Sequence, residues 1–283
     1  MKPILTFALI LLTGVVLNEA EAQCSDAGVC SIGHDSAPEK HFIALAYSFG
    51  RSAKADDLTF HAVSIEASFV VFESSRIFAS IPWSAQNGPL GSVRGIGDVI
   101  VGWDQVLLLG SEESLSLQAG VKLATGSSNS ENLPQRYQSG LGSNDILLGL
   151  SYTTSRWNAS IGYQAAGGRS SNDVDRLKRG DDAMLRVGYQ TTWESVTPSI
   201  QMLAIKRLGK SSVRGATTGS AGTYFDLPNS DQFQVNVLGS LLLPIQKSLT
   251  LNITAAVPLL NREVNVDGLT RSVTLGTGIA WTF

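Results

Sequence analysis

The chain has 283 residues, a formal net charge of -3, only 16% charged residues and 28 glycines. That balance gives no electrostatic case for nucleic acid, and charge is scarcer than the roughly one quarter found in soluble domains. Beyond the N-terminus no stretch is long and apolar enough for a membrane helix, which leaves a secreted or periplasmic protein, or a membrane β-barrel whose segments are individually weak in hydropathy.

Residues 1–22 have the build of a secretory signal peptide. Lys2 supplies the positive start, residues 4–17 are apolar, and Ala20-Glu21-Ala22 offers a small-x-small cleavage site. The polar tail 23–39 holds both cysteines, Cys24 and Cys30. In an oxidising compartment they are expected to close one small disulfide loop.

From residue 40 onward, twelve segments alternate at period two, as half-buried strands do. The first, 40–49, sets Ile43, Leu45, Tyr47 and Phe49 on one face. The second and third, 59–72 and 76–83, do the same with Val63, Ile65 and Phe69, then with Ile77, Ile81 and Trp83. Segment 97–109 is less regular, because Gln105 falls on the apolar face and 106–109 is unbroken, which suggests a bulge. Segments 114–125, 145–153, 156–166 and 182–193 alternate cleanly. Segment 196–207 is ambiguous, with apolar residues on both parities and Pro198 inside. Segments 232–243, 249–257 and 271–283 complete the set.

The connections carry a second pattern. Links 50–58, 84–96, 126–144, 167–181, 208–231 and 258–270 are long, while 73–75, 110–113, 154–155, 194–195 and 244–248 are tight. Strict alternation of this kind fits a transmembrane barrel with short periplasmic turns and long extracellular loops. A soluble sandwich has no reason to alternate its loops. Tyr152, Trp157, Trp193, Trp281 and Phe283 fall near the expected periplasmic ends, and Tyr47 and Trp83 near the extracellular ends, as two interfacial girdles would.

With the apolar face against lipid, the other face lines a lumen. Glu66, Arg76, Gln118, Lys122, Gln164, Arg186 and Gln234 are its candidate pore-lining and selectivity residues. The same side chains would equally suit a polar plug that satisfies itself. The tail 23–39 is expected either to fold into the mouth or to hang in the periplasm.

Catalytic patterns are weak. His41 and His61 are followed two residues on by Ile43 and Val63 where a barrel lipase would need serine, and His34 with Ser36 precedes the first strand. Asp56-Asp57 and Asp181-Asp182 read as solvated acids. No enzyme activity, cofactor or metal is expected.

The segment 271–283 ends on an aromatic with another two before it, and resembles the final strand of bacterial outer-membrane barrels, which the barrel-assembly machinery reads. Residues 121–152 read V-K-L-A-T-G, a polar loop, then L-G-S-N-D-I-L-L-G-L-S-Y, and Gly95-Ile96-Gly97-Asp98 precedes them. These motifs resemble the outer-membrane proteins of the phenol-degradation meta-pathway, and more distantly the long-chain fatty-acid transporters. The resemblance implies a transporter-like barrel passing small hydrophobic or aromatic solutes. The expectation is therefore an all-β, up-and-down antiparallel barrel of about twelve strands over residues 40–283. It would sit in the bacterial outer membrane, among its lipid and lipopolysaccharide, as a passive channel. The alternative is a closed structural or adhesion barrel acting through its loops.

Overall fold

The computed structural model describes residues 40–53, 56–215 and 222–283. The expected signal peptide and the Cys24 and Cys30 pair lie outside the described residues. Among the described residues no helix is long and apolar enough to cross a membrane.

The strands are β1 (Phe42–Arg51), β2 (Thr59–Phe72), β3 (Ser75–Gly88), β4 (Gly91–Ile96), β5 (Val99–Leu109), β6 (Glu113–Leu123) and β7 (Asp145–Thr154). They continue as β8 (Trp157–Ala165), β9 (Asp182–Gln190), β10 (Thr197–Arg207), β11 (Ser212–Arg214), β12 (Tyr224–Asp226), β13 (Phe233–Gln246), β14 (Leu249–Leu260) and β15 (Val273–Thr282). Apart from the small β11–β12 hairpin, every strand joins one antiparallel sheet in which neighbours in sequence are neighbours in space. The sheet closes because β1 pairs with both β2 and β15, and β2 pairs with β3. β4 and β5 are successive pieces on the same partner, β3, so the thirteen segments form a closed barrel of 12 staves.

The alternation decides what each face touches. Leu45, Ile65, Ile81, Leu148, Ile161 and Leu185 are exposed on the outside, while Ser48, Gln118, Lys122, Gln164 and Arg186 on the other parity are buried. An apolar belt of this extent on every stave suits a bilayer, and closure leaves no unpaired edge within it. The sheet thus has its oily side out and its polar side in.

Two expectations are revised. Residues 84–96 are not an open loop: β3 runs on to Gly88, turns at Pro89-Leu90 and returns as β4. Polar Ser84, Gln86 and Asn87 alternate with Ala85, so the pairing continues past the apolar belt. The connection 208–231 likewise contains the β11–β12 hairpin. The irregularity in 97–109 is a register shift between Val106 and Leu108. Gln105 sits there because its amide donates to the carbonyl and hydroxyl of Ser74 at 3.1 and 2.9 Å, capping the β2–β3 turn. The ambiguity of 196–207 also resolves: Ile200 and Met202 face out, while Leu203, Ile205 and Arg207 face in.

Candidate functional site

At the long-connection end the inward residues of neighbouring strands form a charged ladder. Lys122 of β6 lies opposite Asp145 of β7, and Gln164 of β8 opposite Asp182 of β9, which lies opposite Arg207 of β10. Lys122 Nζ is 2.6 Å from Asp145 and 3.9 Å from Asp98, and Gln164 also donates to Asp145. Two loops complete the cluster. Arg179, from 166–181, reaches Asp182 at 2.7 Å, Asp267 at 3.1 Å and Asp145 at 3.3 Å. Arg207 binds Asp182 at 3.0 Å and Asp267 at 2.7 Å. All of these groups are buried, so their charges survive only because each cation faces carboxylates and each carboxylate accepts several hydrogen bonds.

Asp267 and Arg262 belong to the connection 261–272, outside the membrane-spanning strands. Burial alone would raise the Asp267 carboxyl, but Arg207, Arg262 and Arg179 outweigh it and hold it well below the usual carboxylate range. Burial and the neighbouring Arg207 lower the Arg262 guanidinium to about 10, which leaves it charged at neutral pH.

The short motifs at 95–98 and 121–145 meet at this same place. Pro82 has no N–H to donate, and opposite it the chain breaks between β4 and β5, with Gly97 N donating to Pro82 O at 2.8 Å. The break frees Asp98 to turn inward, where its carboxylate accepts from Gly126 N at 3.1 Å and Leu141 N at 2.7 Å. Thr125 Oγ1 donates to Gly97 O at 3.2 Å and accepts from Val99 N at 2.9 Å. Gly126 and Gly140 cross so closely that a Cβ on Gly126 would lie 2.7 Å from the Gly140 Cα. Gly142 has φ +67, and Ser143 then bonds Asp145 at 2.7 Å. The motif glycines and acids therefore dock the loop 124–144 into the barrel.

The docked loops bring apolar side chains with them. Leu141 and Leu269 pack against the inward Ile100, Leu147, Met184, Leu203 and Ile205, with Phe78 and Leu238 alongside. Tyr137 packs under the β3–β4 hairpin with Leu58, Phe60 and Val93, and its hydroxyl accepts from Leu90 N at 3.2 Å. The lumen thus holds an ion cluster at the long-connection mouth with apolar side chains packed against it, Ile100 opposite Lys122 and Leu147 opposite Gln164.

The sequence candidates fall into separate groups. Lys122 and Gln164 belong to the mouth cluster. Arg76 lies toward the short turns, 2.8 Å from Asp104, whose same oxygen accepts from Gln118 at 3.0 Å. Glu66 accepts from Ser64 at 3.1 Å on the inner face of β2, and Gln234 donates to Asn236 at 3.1 Å on β13. Arg186 is buried opposite Ser160 and Leu203. Tyr152, Trp157, Trp193, Trp281 and Phe283 are exposed at the short-turn end, with Tyr47 and Trp83 exposed toward the other. Asp145 and Arg207 were not singled out, although the parity of β7 points Asp145 inward. Asp182, read with Asp181 as a solvated acid, is instead buried on the inner parity of β9 between Arg179 and Arg207. Arg179 and Asp267 lie in loops, where no period marks them.

No family model and no curated protein sequence matches the chain. Its fold does match solved structures. An outer membrane channel from Pseudomonas putida F1 superposes with a TM-score of 0.64 at 14% identity, over 86% of this chain and 95% of that one. The NanC porin superposes with a TM-score of 0.52 at 11% identity, over 84% of this chain and all 100% of its own. The fold is that of outer-membrane β-barrels. The apolar belt on the outside of the closed barrel agrees with a place in the bacterial outer membrane.

Proposed function

We propose that the protein is a passive outer-membrane channel for small uncharged solutes. The observation that carries the reading is the inner wall: polar side chains recur along the staves, and opposite charges on it neutralise one another, as Arg76 with Asp104 and Lys122 with Asp145 do. A wall with little surplus fixed charge discriminates weakly between ions and favours neutral passengers. The motif resemblance adds hydrophobic and aromatic solutes, and the apolar cluster around Phe78, Ile100 and Leu203 supports them. Glu66, Arg76, Gln118, Lys122, Gln164, Arg186 and Gln234 are the residues that would tune passage. The long connections face outward in this reading, the assembly machinery reads β15, and the two aromatic girdles sit at the lipid and lipopolysaccharide interfaces.

No catalysis is assigned. His61 pairs with the Tyr47 hydroxyl at 2.8 Å and His41 accepts from Val70 N at 3.0 Å, so each ring already has a structural partner.

Single-channel conductance of the refolded protein in a planar bilayer tests the reading. Steady ion steps support it, and silence from folded protein overturns it. A closed structural or adhesion barrel is the second reading, favoured by the two loops docked in the mouth. It predicts that silence, together with surface binding through 208–231.

A further inference from the structure

The inner wall is electrically divided. Arg76, Asp104, Lys122, Asp145, Asp182 and Arg207 all come from β3 to β10, whereas β13, β14 and β15 contain no charged residue at all. On that neutral arc, Asn252 and Thr254 of β14 lie opposite Gly278 and Gly276 of β15. The glycines carry no side chain, and beyond them β1 presents only Ala46 and Ser48. The arc is therefore a stretch of wall without side chains at Gly276 and Gly278, flanked by one amide and one hydroxyl.

Its polar groups are unsatisfied. Both amide atoms of Asn252 and the hydroxyls of Thr254 and Thr274 have no hydrogen-bond partner among the described residues. These side chains are 5%, 5% and 0% exposed. Asn236 on β13 is in the same state at its amide nitrogen. Buried amides and hydroxyls without partners are costly to leave so. Asn236, Asn252 and Thr254 offer donors and acceptors on strands without formal charge, and Thr274 lies nearer the mouth, opposite Gly50, where Arg271 packs.

We propose that this β13–β15 wall is a subsite for small uncharged solutes rich in hydroxyl groups. The proposal rests on the passive-channel reading and extends its passengers from apolar to polyhydroxylated molecules. A neutral polyol exchanges its water for Asn252, Thr254 and Thr274 with little loss, and its carbon face lies on Gly276 and Gly278. A cation on this wall would give up water with no counter-charge on β13 to β15 to replace it.

The test is polyol influx into vesicles holding the refolded full chain, using erythritol and arabitol as probes, alongside single-channel conductance. The unmodified protein should show influx that levels off with polyol concentration, as a binding step requires. Asn252→Ala with Thr254→Ala makes both side chains smaller, so a slower influx is not steric. At low polyol it should fall by about fivefold for each hydrogen bond lost, with ion conductance unchanged. Influx that stays linear with concentration overturns the proposal, as does influx equal in the variant and the parent. If ions pass and polyols do not, the subsite fails and the channel stands. If nothing passes through folded protein, both fail.

Discussion

Arg207 of β10 donates to Asp267 at 2.7 Å, joining the barrel wall to the connection between β14 and β15. Both residues are buried, and Arg207 holds Asp182 with its remaining edge. Arg207→Ala leaves two buried carboxylates sharing Arg179, with half of their charge compensation gone, and should cost up to about 3–5 kcal/mol, read as a lower midpoint in urea unfolding from detergent or lipid. Arg207→Lys should recover only part of this, since one ammonium cannot span both acids in the planar fork of a guanidinium.

The acid response of the mouth follows from Asp267. Its folded carboxyl is held below its unfolded value by Arg207, Arg262 and Arg179 against the effect of burial. The stability it lends is complete above the unfolded pKa of about 4 and is lost as pH falls below that toward the folded value. Protease cutting within 261–272 should therefore stay slow at pH 5 and quicken below about pH 4. Asp267→Asn should cut quickly at both, with the acid dependence flattened.

The lipid face has its own test. Leu148 lies mid-strand on β7 and is exposed. Leu148→Arg should cost about 2–4 kcal/mol if this position sits near the bilayer midplane. The same substitution at Trp193, in the short turn, should cost far less. Reversible unfolding into lipid vesicles distinguishes the two.

Inside the barrel, a Cβ on Gly102 would lie 2.2 Å from the Phe78 ring. Gly102→Ala should destabilise by about 1–3 kcal/mol through overpacking. Phe78→Leu in the same chain should relieve part of that, so the double-mutant cycle gives a non-additive coupling.

Much of this architecture was legible because one face of each stave meets lipid. Alternation from Leu115 to Leu123 is unambiguous, and the short links at 73–75 and 154–155 set the hairpins. The pattern failed where a stave is apolar on both faces. In β10, Leu203 and Ile205 face inward because Leu141 and Leu269 come down to meet them, a contact that no period within 196–207 could announce. It failed again at 84–96, where the hairpin rises beyond the apolar belt and polar residues occupy both faces. The mouth cluster was half readable. Lys122 and Gln164 lie on the polar parity of clear strands, but Arg179 and Asp267 sit in loops, and which acid each would meet depends on how those loops fold back. The motif glycines marked the right region, though their role is to let 124–144 approach Asp98.

The seam between β1 and β15 runs in register from Phe42 opposite Thr282 to Arg51 opposite Val273, and Phe283 N donates to His41 O at 3.0 Å just beyond it. The first strand of the sheet thus depends on β15 for its second partner. Without residues 273–282 the sheet has two bare edges of unpaired amides and carbonyls, each able to recruit another copy. A nonsense codon anywhere before residue 273 therefore yields a sticky sheet where a shortened barrel would be expected, a burden for the envelope's proteases.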